Sequence, residues 1–289
     1  MNSLILSHPY HLLYLLAVPH KLTSEGLPPN ENIETDRASS KDQADIVVDK
    51  LCKRWRQPFS SSSQFSLARL SFKAYKGQIT VLLGQNGAGK TTTFSILTGL
   101  LKYNSGRVLI CGIDQKKHMR ECQNKIGFCP QYNPLFDYLT VREHLEFYAG
   151  TKTGHFNGPY GKKALIQEIH TVANELHIEA LLDMPARALS GGQKRKLCVA
   201  IALIGKSSVV LLDEPSAGMD AKARRDLGDL LKNIKQDRQG ILWPSYLIQT
   251  IAMLTILLTT HYMEEADTLA DRIVIIANGR LKSNGSPQF

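Results

Sequence analysis

Residues 79–91 read ITVLLGQNGAGKT, and the fold follows from them. The apolar run Ile79 to Leu83 suits a strand buried on both faces of a parallel sheet. From Gly84 the chain fits G-x-x-x-x-G-K-[ST], with Gly84, Gln85, Asn86, Gly87, Ala88, Gly89, Lys90 and Thr91 in order, and TTTFSILTGLL follows as a helix. Strand, glycine-rich loop, helix is the context this phosphate loop requires. Its glycines let backbone N–H groups wrap phosphates. Lys90 would reach the terminal phosphates, and the Thr91 hydroxyl can ligate Mg²⁺. Thr92, the next residue of the same helix start, is counted with the nucleotide-binding set. The expected core is α/β.

A second segment, VVLLDEP at 209–215, has four apolar residues followed by two carboxylates. At the C-terminal end of a parallel strand such groups face the ligand edge of the sheet. There Asp213 would hold the Mg²⁺ shell and Glu214 would orient and deprotonate an attacking water. Read alone, the pair also suits a structural role at a strand end. Thr259-Thr260-His261 follows the apolar run TILL. His261 by itself reads as a satisfied core histidine; beside the other two segments it becomes a third polar group at the same edge. Gln131, in GFCPQYNPLFD, carries an amide able to serve both Mg²⁺ and water, and only this company makes it a site residue.

A further stretch, LSGGQKRKLCVAIALIG from Leu189 to Gly205, opens like another anion site. Ser190 and Gln193 have capping-box spacing, and bare N–H groups at a helix start attract phosphate. The basic run Lys194-Arg195-Lys196 inside it reads as a solvated helix face. Thr140 and Glu143 have the same capping spacing at the start of TVREHLEFYAG. FSLARLSFKAYKGQITVLLG alternates like a hairpin, GTKTGHFNGPYGK reads as a loop, and KKALIQEIHTVANELHI as a helix.

The chain has 289 residues, a net charge of +9 and 43% hydrophobic residues. The charge suits nucleic acid, an anionic membrane surface or phosphorylated ligands. No RNP, zinc-finger or basic-arm pattern accompanies it, so nucleic acid is not an expected partner. Cys52, Cys111, Cys122, Cys129 and Cys198 are scattered without a C-x-x-C and read as reduced thiols in a cytosolic setting. Residues 1–44 form an apolar segment, too short in its Leu-rich part to span a bilayer, and a polar linker; residues 45–289 form the folded domain. Ile241 to Leu258 lacks charge and reaches the length of a spanning helix. That reading would draw TILL into a membrane and His261 away from the other motifs.

The motif order GQNGAGKTT, PQYN, LSGGQ, LLDEPSAGMD, TTH resembles the nucleotide-binding domain of an ABC transporter, from residue 45 to the end. The resemblance implies a P-loop core with an antiparallel β subdomain and a helical signature subdomain near residues 130–200. It implies ATP and Mg²⁺ as ligands and ATP hydrolysis as the activity. It also answers why one domain carries two phosphate-binding helix starts. Leu189, Ser190, Gly191, Gly192 and Gln193 would meet ATP held by the phosphate loop of a second ABC ATPase domain. Asp220 would couple the two sites and Trp55 would stack on adenine. His261 would contact the γ-phosphate, and Gln131 would sense transmembrane domains. CPQYNPLFDYLTVREHLEFYA and HYMEEADTLADRI resemble the A subfamily, which mostly moves lipids, placing the domain on the cytosolic face of a membrane. The family passes almost directly from RQG to TILLTTH, so Ile241 to Leu254 is expected to be an apolar insertion. The sequence alone leaves two alternatives: a product that binds ATP without transport, and a soluble ABC ATPase acting on ribosomes or DNA.

Overall fold

The computed structural model describes residues 43–56, 63–153, 162–205, 207–237 and 254–287. Two sheets organise them. The first is antiparallel, in the order β2 (Ser63–Tyr75), β1 (Ala44–Arg56), β4 (Ser105–Ile110), β5 (Ile113–Asp114). The second runs β10 (Arg280–Gly285), β9 (Arg272–Ala277), β3 (Ile79–Leu83), β8 (Thr255–Thr260), β7 (Val209–Asp213), β6 (Ile126–Cys129). From β9 to β6 every neighbouring pair is parallel.

Parallel strands covered on both faces should be apolar throughout, and β3, β7 and β8 are buried at every position. The strand period of two divides their side chains between two cores. Ile79, Val81, Leu83, Val210, Leu212, Ile256 and Leu258 join one cluster. Leu82, Val209, Leu211 and Leu257 join the other, with Phe94, Leu70 and Ile110. The first lies under the helices α3 (Val141–Thr153), α4 (Lys162–Glu175), α5 (Gly191–Leu203), α6 (Ala221–Asp237) and α7 (Met263–Leu269). The second lies under the antiparallel sheet and α1 (Lys90–Leu97), with Cys122 of α2 (Met119–Lys125) packed into it. Burying each such aliphatic side chain contributes about 1.5–3 kcal/mol. A buried hydrogen bond joins the sheets, Thr255 Oγ1 donating to Asp45 Oδ2 at 2.6 Å.

Both capping boxes form. The Thr140 amide donates to Glu143 Oε2 at 2.7 Å, and the Glu143 amide donates to Thr140 Oγ1 at 3.2 Å. Ser190 and Gln193 exchange the equivalent pair at the head of α5. Two expectations are corrected. Residues 65–84 do not form a hairpin: β2 pairs with β1, and β3 crosses into the other sheet between β8 and β9. The turn at Lys76–Gly77 separates the two strands instead of folding one onto the other, because the apolar 79–83 run needs cover on both faces. The loop expected from Gly150 also begins later, since α3 continues to Thr153.

TILL lies inside β8, held between β3 and β7. Among the described residues no helix is long and apolar enough to cross a membrane. The expectations for residues 1–42 and for the insertion fall outside the described residues, except at Leu254, which is buried against the core. Where β6 meets α5, a Cβ added at Gly127 would lie 1.7 Å from the Ala202 carbonyl oxygen. Overpacking of this kind forces backbone to move. Gly127→Ala is expected to destabilise the chain by roughly 3 kcal/mol or more, read as a fall in the urea midpoint.

Candidate nucleotide-binding site

Because β3, β6, β7 and β8 run parallel, their C-terminal ends share one edge. Gly84, Gln131, Glu214 and His261 each lie just past one of those ends. Open parallel sheets bind ligands at this edge.

The loop after β3 turns into α1 through Gly89, at φ 107°. Only glycine adopts this readily, and an added Cβ would meet Leu67 Cδ2 at 2.7 Å. Gly89 is the N-cap and offers no side chain, so the helix-start amides have no side-chain cap. The loop is braced from behind by the Gly279 amide, which donates to the Ala88 carbonyl at 3.0 Å. The Thr92 hydroxyl shares a 2.9 Å hydrogen bond with Ser66 Oγ. That anchors the helix start to β2. Lys90 is 5% exposed. Its ammonium donates to the carbonyls of Gly84 at 2.7 Å and Gln85 at 3.2 Å, and lies 3.5 Å from Glu214 Oε1.

β7 delivers Asp213 to the edge, opposite Thr259 of β8 in the register. Thr259 Oγ1 donates to Asp213 Oδ1 at 2.7 Å and accepts from the Glu214 amide at 2.8 Å. Burial pushes the Asp213 carboxyl above its usual 3.8, the neighbouring Glu214 charge adds to this, and hydrogen bonds from Thr259 and Thr91 oppose it. The Thr91 hydroxyl, the Asp213 carboxylate and the Gln131 amide offer hard oxygen donors, the type that suits Mg²⁺.

Glu214 is where the groups meet. Its backbone is left-handed, φ 45°, uncommon for a residue with a Cβ and frequent at functional turns. Its carboxylate accepts from Gln131 Nε2 at 3.0 Å and lies 3.6 Å from His261 Nδ1 as well as beside Lys90. The His261 ring lies against Tyr262, with centroids 4.1 Å apart and planes tilted by 37°.

The signature residues face elsewhere. Ser190 and Gln193 satisfy each other's polar groups, Leu189 is buried, and positions 191 and 192 have open space where a Cβ would stand. Asp220 Oδ1 accepts from the Ala223 amide at 2.8 Å, capping α6. Trp55 lies near the end of β1 in the antiparallel sheet, with the Lys53 ammonium 4.8 Å from its ring centroid.

Two contributors escaped the sequence reading. Thr259 stood in a quoted motif, but its place opposite Asp213 depends on strand register. Arg195 was expected on a solvated face and is 3% exposed, a correction. Its neighbours three and four residues on, Cys198 and Val199, are both buried. That helical spacing is the signal that places Arg195 inward.

Residues 67–217 match the profile of the ABC transporter family. The chain belongs to that family. It is similar to ABC transporter ced-7 of Caenorhabditis elegans, 42% identical over 89% of this chain and 14% of the relative. It is also similar to the phospholipid-transporting ATPase ABCA3 of Homo sapiens, 42% identical over 85% of this chain and 13% of the relative. The chain thus spans about a seventh of these relatives' length. Among solved structures it superposes on cbiO1 from Clostridium perfringens with TM-score 0.69, at 25% identity, covering 85% of this chain and 89% of that one. The dimeric MJ0796, a bacterial ABC transporter cassette, matches in fold with TM-score 0.69 at 21% identity, covering 84% and 98%. The chain is therefore a nucleotide-binding domain of the ABC type.

Because the folded state raises the Asp213 pKa, it binds that proton more tightly than the unfolded chain does. The stability this confers is complete below about pH 4 and is lost as pH rises through the higher folded value. Asp213→Asn removes the buried charge. It is expected to raise the ligand-free melting temperature at neutral pH by roughly 2–4 °C, an effect on the order of 1 kcal/mol. The gain should shrink toward zero below about pH 4. Thermal melts of both proteins across pH check this.

Proposed function

We propose that this domain binds MgATP, hydrolyses it as one half of a head-to-tail pair of ABC ATPase domains, and drives a membrane transporter of lipids. The observation that carries the reading is the Glu214 carboxylate in reach of Lys90, Gln131 and His261 at one sheet edge. ATP phosphates would sit on the α1 amides, and Lys90 would leave the Gly84 and Gln85 carbonyls for the terminal phosphates. Thr91, Asp213 and Gln131 would hold Mg²⁺, which neutralises phosphate charge. Glu214 would take a proton from water as its oxygen bonds to the γ-phosphorus, and the bond to the β,γ-bridging oxygen breaks, giving ADP and phosphate. His261 would orient the γ-phosphate, and Trp55 would stack on adenine.

The outward-facing start of α5 supports a second domain as partner. Ser190 and Gly191 are exposed, and open space surrounds the Cβ positions of Gly191 and Gly192, so they would meet nucleotide held by another domain, with Asp220 beside that interface. Tyr132, Phe136, Tyr138 and Phe147, which follow Gln131, are 47–80% exposed. Such an aromatic surface suits docking of transmembrane domains, which would set this domain on the cytosolic face of the membrane. Lipid as the transported class rests on likeness to the phospholipid-transporting relative.

Turnover by the purified full chain is expected to rise per molecule with protein concentration, and Glu214→Gln to lower kcat about 100-fold or more. A rate per molecule independent of concentration, or Glu214→Gln turning over like the wild type, would contradict the paired-site mechanism.

A further inference from the structure

Arg195 lies about a turn and a half into α5, the helix whose first residues are the signature. Its guanidinium is buried, and six acceptors surround it. Nε donates to the Pro215 carbonyl at 2.8 Å, and Nη2 to the carbonyls of Asp213 at 2.8 Å and Glu214 at 3.1 Å. Nη1 donates to the carbonyls of Pro130 and of Gln131, the latter at 3.3 Å, and to Asn133 Oδ1 at 3.4 Å. None of these acceptors is a carboxylate. A buried cation matched only by carbonyl and amide oxygens is a poor means of adding stability, since an apolar residue of that volume avoids its desolvation. What the planar fork provides is direction, because its donors are fixed relative to one another.

The segments it holds are the two that carry the site. One is the Asp213–Pro215 main chain on either side of Glu214. The other is Pro130–Gln131. Glu214 stands in a left-handed conformation that its neighbours must impose. Thr259 holds its amide from one side and Arg195 holds the carbonyls from the other.

We propose that Arg195 is a positioning residue that couples the signature helix to the hydrolytic edge of its own domain. It fixes the Glu214 backbone and the Gln131 loop as one body. The coupling rests on the paired-domain reading. When the start of α5 meets a partner's nucleotide, movement of α5 reaches Glu214 and Gln131 together through this guanidinium. Nucleotide bound at one site then sets the geometry of the other. Arg195 donates its hydrogen bonds to the Glu214 and Gln131 segments and none to the phosphate loop or α1, so the link acts on turnover more than on ATP affinity.

The test is Arg195→Lys, which keeps a cation and loses the fork, alongside Arg195→Gln, both in the full chain. In both variants kcat is expected to fall at least tenfold while KM for ATP stays within about threefold. Hydrogen exchange should rise together in peptides covering 130–133 and 213–217, with α1 unchanged. Unchanged kcat and unchanged exchange would overturn the proposal. So would a loss of ATP affinity and melting temperature that matches the loss of kcat, which marks a merely structural arginine. The exchange readout needs no turnover. If the wild type does not hydrolyse ATP yet both loops loosen in the variants, the proposed function fails and the link stands. If the wild type turns over and the variants match it, the link fails alone.

Discussion

The Glu214 carboxylate meets an ammonium from the start of α1, an amide from beyond β6 and an imidazole from beyond β8. Those three groups come from distant parts of the chain, and one constraint unites them. Each follows a parallel strand, or the loop after one, so strand direction alone carries them to a shared edge. The two apolar cores then fix strand order. Alternate side chains of β3, β7 and β8 go to opposite faces, so a slip of one residue would exchange the cores and withdraw the polar groups from the edge.

The same constraint explains the uneven environment of the two acids. Asp213 is the last residue of a fully buried strand, and its charge is offset by hydroxyls and, more distantly, by the Lys90 ammonium. Glu214 comes one residue later, beyond the strand, and turns left-handed to bring its carboxylate among three polar partners. Adjacent carboxylates thus acquire different roles. The first is held by Thr259 at the strand end, and the second is presented to Lys90, Gln131 and His261, which is the division the proposed metal-ligand and base roles need.

Much of this was legible in the sequence because phosphate-loop chemistry is local. The glycines, Lys90 and Thr91 lie within one loop and one helical turn, so spacing alone specifies their geometry. The capping boxes at Thr140 and Ser190 are local for the same reason. What was not legible depends on elements distant in sequence. The partner of β2 could not be inferred from its alternation, because alternation specifies a half-buried face and says nothing of the neighbouring strand. Thr259 gained its role from cross-strand register. Arg195 sat between two lysines, and charge composition favoured solvent; only its helical phase with Cys198 and Val199 pointed inward. The helix that opens with the signature is therefore also the one whose Arg195 grips the Glu214 and Gln131 segments from within.

The central claim is that this edge is completed by a second domain closing over bound nucleotide. Light scattering on the full-chain Glu214→Gln protein, with and without MgATP, tests it most directly. The account predicts the mass of one 32.2 kDa chain without nucleotide and twice that mass with MgATP, the doubling being lost when Ser190 is also replaced by Glu. A protein that binds MgATP at this edge yet keeps the same mass throughout would contradict it.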